Sequence, residues 1–131
     1  MPHLRIREAA ELLGVSDDTA RRWADSGRLP TTKDQAGRQV IAGTDLAALA
    51  VELADAPEHL RVSARNRLRG IVTRVVRDGV MAQVELQCGP HRVVSLLSRE
   101  AADELGLEVG VLAVASIKAT QVVVELPDAH R

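Results

Sequence analysis

The chain has 131 residues, 46% hydrophobic and 27% charged, with a formal net charge of −1. This is the balance of an ordinary globular protein of one domain or two small ones, and it excludes both a disordered chain and a globally polycationic nucleic-acid binder. With no Tyr, no Phe and one Trp the core must be aliphatic, and the single cysteine, Cys88, excludes an intrachain disulfide and a cysteine-rich metal site.

Ile6, Ala9, Ala10 and Leu13 fall at helical spacing, and Gly14 ends that helix as a left-handed cap. Ser16 is placed to cap a second helix, Asp17 to Ser26, with Asp17 and Asp18 complementing its dipole and Ala20 and Trp23 on one side. Gly27 ends it. Leu29-Pro30 turns the chain, and Thr31 to Ile41 reads as two short strands around Asp34-Gln35-Ala36-Gly37. Thr44 is expected to cap a third helix carrying Leu46, Leu49, Val51 and Leu53. Residues 19–38 contain Arg21, Arg22, Arg28, Lys33 and Arg38 against Asp25 and Asp34, a basic face on an otherwise acidic half. Helix, turn, helix, hairpin, helix is a winged arrangement.

Ala9-Ala10-Glu11-Leu12-Leu13-Gly14-Val15-Ser16, Thr19-Ala20-Arg21-Arg22-Trp23, Gly27-Arg28-Leu29-Pro30, Gly37-Arg38 and Asp45-Leu46 together resemble the winged helix-turn-helix of the MerR and excisionase families. The resemblance implies double-stranded DNA as partner, with the second helix in the major groove and the wing on neighbouring phosphates. Thr19, Arg21 and Arg22, with Arg28, Lys33 and Arg38 flanking, are the implied DNA-facing residues. Arginine suits bidentate contacts to phosphate or guanine, which agrees. Arg5 stands where the family has a capping Thr or Ser.

Pro57 discourages helix continuation, and residues 57–62 read as a short linker between a first domain, 1–56, and a second, 63–127. In the second domain Leu68 to Arg77 is strand-like, Asp78-Gly79 signals a hairpin, and Val80 to Leu86 alternates as a half-buried strand. His91 to Leu97, Val111 to Ile117 and Thr120 to Leu126 complete five predicted strands, with a short helix opened by Ser98 as N-cap. The fold class expected is α+β: a winged helix-turn-helix followed by a small open barrel of the OB type.

Ser63-Ala64-Arg65-Asn66-Arg67-Leu68-Arg69-Gly70 sets a hydroxyl, guanidinium groups and an amide side by side, a suitable donor set for a small oxyanion. That run, Glu104-Leu105-Gly106-Leu107-Glu108-Val109-Gly110 and Ile117-Lys118-Ala119-Thr120-Gln121-Val122 resemble the molybdate/tungstate-binding Mop domain of the TOBE class. The resemblance implies molybdate or tungstate as ligand, bound between chains that pair by exchanging strands, so a homo-oligomer of at least two copies, with hexamers known in the family. It also carries Ser63, Arg65 and Lys118 onto ligand positions, with backbone N–H groups from Ala64 and Ala119 and a hydroxyl from Ser98. Ala101 stands where the family has a Ser.

The two resemblances imply an oxyanion-responsive transcriptional regulator. The alternatives are an oxyanion storage or buffering protein, or a DNA-binding protein whose barrel only oligomerises. No nucleophile–base pair, metal-ligand cluster or Gly-rich phosphate loop is recognisable, so no enzymatic activity is expected. No apolar run approaches the ~20 residues of a membrane helix and no signal pattern is seen, so a cytoplasmic location without membrane association is expected.

Overall fold

The apolar periodicity of the first residues becomes helix in the computed structural model, which describes residues 2–54 and 61–127. Strand β1 (His3–Arg5) leads into α1 (Ile6–Leu13) and α2 (Asp17–Ser26), then β2 (Thr32–Lys33), β3 (Gln39–Ala42) and α3 (Gly43–Leu53). Gly14 and Gly27 close α1 and α2 at φ of 70° and 82°, a left-handed conformation that side chains with a Cβ adopt at a cost. The three strands form one antiparallel sheet in the order β1-β3-β2. Ala9, Leu29, Ile41, Leu46 and Leu49 make the core, with Trp23 packed against it. Leu29 and Ile41 are fully buried, each worth about 1.5–3 kcal/mol of apolar transfer.

Two local expectations are corrected. Helix α3 begins one residue before Thr44, with Ala42 as N-cap, because the Gly43 N–H is already satisfied by the Pro2 carbonyl at 2.9 Å and needs no side-chain cap. Strand β1 was not expected: three residues are too few to display a period, and only pairing with β3 makes them a strand. Arg5 cannot cap as a hydroxyl would, yet half of the capping arrangement survives, since the Glu8 carboxylate accepts the Arg5 N–H at 3.1 Å.

The chain divides into two units, Met1–His59 and Leu60–Arg131, each with its own core. Most of the linker assigned to residues 57–62 lies outside the described residues; Arg61 and Val62 are exposed bends.

The second unit contains β4 (Asn66–Arg77), β5 (Met81–Cys88), β6 (His91–Ser98), α4 (Arg99–Leu105) and β7 (Leu112–Ile117). They form one antiparallel sheet in the order β6-β5-β4-β7. Its longest strand, β4, pairs with β7 over Asn66–Ile71 and with β5 over Ile71–Arg77, with a bulge between Val72 and Arg74. Changing partners along one strand, with a bulge beside the change, curls a sheet, and the result is a half-barrel around Val72, Val84, Leu86 and Cys88. The predicted Asp78-Gly79 turn is held by the Asp78 carboxylate, which accepts the N–H groups of Met81 at 2.7 Å and Val80 at 2.8 Å. Arg77 ties α4 and the loop after it to β4 through Asp103 at 3.1 Å, the Leu107 carbonyl at 2.8 Å and Glu108 at 3.2 Å.

The fifth predicted strand, Thr120 to Leu126, is not formed. Ala119–Gln121 makes a 3₁₀ turn instead, and Val122 to Leu126 has no strand partner among the described residues of this chain. Its β-branched run Val122-Val123-Val124 suits a strand, but β4 already carries β5 on one side and β7 on the other, and the segment pairs with neither β6 nor β7. Val123, Val124 and Leu126 are consequently 88%, 86% and 90% exposed.

Candidate functional site

In the first unit, Ser16 organises the start of α2. Its oxygen accepts the Thr19 N–H at 3.1 Å, its hydroxyl donates to Thr19 Oγ1 at 3.0 Å, and Arg22 Nη2 donates to that same Oγ1 at 3.2 Å. Thr19 is half-buried and already bonded, so it positions Arg22 more than it offers itself. Arg21, on the next position, is exposed and lies in an open groove of about 520 Å³ with Arg38. Arg38 follows the wing turn and is held by Asp34, whose carboxylate takes the Arg38 N–H at 2.9 Å, the Ala36 N–H at 2.9 Å and Arg38 Nε at 3.1 Å. The Arg38 N–H, before the other partners, holds the Asp34 carboxyl below its ordinary value.

Lys33 lies exposed on β2, at the same hairpin. Arg28 is differently occupied: its guanidinium lies 4.8 Å from the centre of the Trp23 ring and its Nη2 3.9 Å from Glu52. This is a cation–π packing role. Thus Arg21, Arg22, Lys33 and Arg38 are displayed, whereas Thr19 and Arg28 are engaged within the unit. Arg5 and Arg7, which sequence reasoning passed over, line the groove of Arg21 and Arg38. Arg5 reads in the sequence only as a missing cap, and Arg7, within the first turn of α1, carries no local signal beyond its charge.

In the second unit, Asn66 Nδ2 donates to the Ile117 carbonyl at 3.0 Å, across the same pair of residues that opens the β4–β7 ladder. Continuing that antiparallel register by one residue would set Arg65 opposite Lys118; Ala119 opens the 3₁₀ turn, and Ser63 and Ala64 precede β4 outside the ladder. Ser63, Arg65, Lys118 and Ala119 are exposed and Ala64 half-buried. Arg65 Nη1 donates to the Val62 carbonyl at 3.0 Å, which leaves most of its fork for other acceptors. The Lys118 ammonium has no partner among the described residues. A hydroxyl, a guanidinium, an ammonium and adjacent backbone N–H groups are the donors and charge that a small dianion requires.

Ser98 is elsewhere. Its register partner is Met81, next to the Arg77–Ala82 pair, so it lies at the opposite end of the sheet from Asn66. Twelve residues of β4 at about 3.3 Å each separate the two ends by roughly 35 Å of strand. The Ser98 oxygen caps α4 by accepting the Ala101 N–H at 3.1 Å, which leaves its proton available to donate. Ser63, Ala64 and Arg65 precede β4, and Lys118 and Ala119 follow β7, at the sheet end where Asn66 pairs with Ile117; Ser98 lies at the other end. Asn66, whose amide the sequence set among the polar groups of this run, instead spends its Nδ2 on the Ile117 carbonyl.

A winged helix-turn-helix with exposed arginines on α2 and the wing, followed by an open antiparallel half-barrel, defines an α+β protein of two structural units. Residues 4–50 match a helix-turn-helix domain and residues 62–124 a TOBE domain. A "Probable molybdenum-pterin-binding protein" of Haemophilus influenzae is 44% identical over 66 residues, which are 50% of this chain and 96% of that protein. The "Transcriptional repressor DcmR" of Methylorubrum extorquens is 32% identical over 78 residues, covering 52% of this chain but only 29% of that protein. A solved molybdate binding protein from Sporomusa ovata, 27% identical, aligns with 51% of this chain and 100% of its own at a TM-score of 0.49. The chain belongs, through its second unit, to the TOBE-domain family that includes the molybdenum-pterin-binding proteins, and it carries a helix-turn-helix domain ahead of that unit.

Proposed function

We propose that this protein is a DNA-binding transcriptional regulator that senses molybdate or tungstate. The observation that carries the reading is the union in one chain of a helix-turn-helix unit with exposed Arg21, Arg22 and Arg38 and a TOBE unit whose Asn66–Ile117 bond joins the strands next to Arg65 and Lys118. Both anions are tetrahedral and doubly charged. Lys118 and Arg65 supply opposing charge, Ser63 a hydroxyl, and Ala64 and Ala119 backbone N–H groups. The donors stand in water-exposed positions in the single chain, and desolvation by a partner chain would strengthen each of them.

The site is read as an inter-chain one. Val122 to Leu126 exposes a strand-like apolar run, and β6 and β7 each have an unpaired side. An apolar groove of about 590 Å³, lined in part by Val93, Leu97, Leu107, Ala113 and Ile117, runs inside the half-barrel. Exchange of the 122–126 segments between two copies closes both half-barrels and brings Ser98 of one chain towards Lys118 of the other. An anion bridging two chains would set the spacing of two DNA-reading units, and so alter affinity for a two-fold operator.

Calorimetry with molybdate, tungstate and sulfate, paired with duplex binding in the presence and absence of molybdate, tests this reading. A regulator binds duplex with an affinity that molybdate changes, and Arg21→Ala lowers that affinity without unfolding the chain. Molybdate binding without any duplex binding would favour the storage reading, which the TOBE-only length of the Haemophilus influenzae relative supports. Duplex binding without heat from either anion would leave the barrel as an assembly module.

A further inference from the structure

The groove that holds Arg21 and Arg38 also receives Arg5 from the end of β1 and Arg7 from α1, so four arginines from four elements face two carboxylates, Glu8 and Asp17. One of those carboxylates is already occupied by the Arg5 N–H. Arg7 and Arg21 make no ion pair among the described residues. A second groove is lined by Lys33 and again by Arg5 and Arg38, with Asp34, the partner of Arg38, as its one carboxylate. Arg5 and Arg38 therefore form a ridge shared by two adjoining grooves, with cationic side chains on both slopes.

We propose that Arg5 and Arg7 are phosphate ligands: one DNA strand runs through the Arg7–Arg21 groove, crosses the Arg5–Arg38 ridge and continues towards Lys33. The inference rests on the DNA-binding reading and adds to it two residues and a path. Guanidinium forks hold phosphate oxygens in pairs, and a ridge with charge on both slopes holds consecutive phosphates of one strand. Arg38 is ion-paired with Asp34, but the Arg7 guanidinium has no such partner among the described residues. Arg7 sits in the first turn of α1, where a cation opposes the helix dipole, so its neutral replacement should leave thermal stability unchanged or raise it.

The test uses the full chain and a mixed-sequence duplex of about 30 base pairs, with affinity followed over about 50–200 mM salt. Arg5→Gln and Arg7→Gln should each flatten the dependence of log K on log salt by about 0.9, and the double variant by about twice that, with melting temperatures not lowered. Arg5→Lys and Arg7→Lys, which keep the charge, should keep the slope; a lysine variant that loses it as glutamine does would overturn the proposal. Slopes equal to wild type in both glutamine variants, while Arg21→Ala weakens binding, would overturn the proposal and leave the DNA-binding reading standing. No duplex binding by the wild-type chain would sink both. Inorganic phosphate added without DNA should give no saturable binding; saturable binding lost in the double variant would make the groove a free-anion site and overturn the strand path.

Discussion

The side-chain amide of Asn66 donates to the Ile117 carbonyl at 3.0 Å, and this bond joins the two segments that hold every candidate anion donor except Ser98. Asn66 sits one residue from Arg65 and its partner Ile117 one residue from Lys118, so the bond sets the end of the ladder from which both candidate donors extend. Asn66→Ala removes the donor and leaves a part-buried carbonyl with one partner fewer, at a cost of about 1 kcal/mol in stability. It should also lower molybdate affinity although all the donors remain. Calorimetry and a melting curve on the same variant check both effects, and unchanged affinity would confine Asn66 to a structural role.

The wing makes a pH-dependent prediction through Asp34. The hydrogen bond from the Arg38 N–H is the largest cause; together with those from Ala36 and the Arg38 guanidinium it lowers the pKa from 3.8 against an opposing desolvation. A lowered folded pKa means that the ionised carboxylate stabilises the hairpin at all pH above 3.8, and that this contribution is lost as pH falls through the folded value below it. The amide resonances of Ala36 and Arg38 should therefore be constant from neutral pH down to the ordinary carboxylate range and move together only under more acid conditions. A common midpoint above 3.8 would contradict the hydrogen-bonded turn. Asp34→Ala should weaken duplex binding by releasing Arg38.

Gly70 is required by close approach. A Cβ there would lie 2.6 Å from Cys88 Sγ and 2.6 Å from the Gln87 carbonyl oxygen, where β4 passes β5. Gly70→Ala should destabilise the second unit by about 1–3 kcal/mol, as overpacking does. Cys88→Ala relieves the sulfur contact but not the backbone one. The double variant should therefore remain less stable than Cys88→Ala alone in denaturant titration.

Glu85 is a charge 5% exposed in the middle of the sheet, answered by Arg92 Nε at 2.5 Å and Arg74 Nη1 at 3.7 Å. Removing Arg92 leaves a buried carboxylate with its weaker partner, costing about 1–3 kcal/mol, and Arg74→Ala should cost less. Glu85→Gln in the Arg92→Ala background should recover part of the loss, because the uncompensated charge is then gone. Melting of the three variants ranks them.

Most of the first unit was legible because its signals are local. Ser16, Gly14 and Gly27 announce helix ends through backbone chemistry that operates within four residues, and Asp34 to Gly37 announces the turn in the same way. The α4 cap at Ser98 and the Asp78-Gly79 hairpin were legible for that reason too. Strand β1 and the true start of α3 depend on pairing with β3 and on the Pro2 carbonyl, which no local pattern reveals. Residues 120–126 show the opposite failure. Their β-branched valines are genuine strand chemistry, but a strand needs a neighbour, and none pairs with them among the described residues of this chain. The anion donors were readable as residue types, whereas the roles of Asn66, Arg5 and Arg7 emerge only when separate elements meet.

The separation of Ser98 from Lys118 turns the inter-chain reading into a test by mixing. Each donor is a charged or anion-directed hydrogen bond worth about 1.5–3 kcal/mol, so Lys118→Ala and Ser98→Ala should each weaken molybdate binding roughly 10- to 150-fold. In a two-fold dimer with sites shared between chains, one site takes Lys118 from the first chain and Ser98 from the second, and the other site the reverse. Co-folding Lys118→Ala chains with Ser98→Ala chains then gives mixed dimers in which one site carries both substitutions and the other carries neither. These dimers should bind molybdate with wild-type affinity at half the wild-type stoichiometry. If each site were built within one chain, every site in the mixture would lack one donor and no high-affinity binding would return. Ser98→Ala with no effect in the unmixed protein would remove Ser98 from the site and leave Ser63, Arg65 and Lys118 as its donors.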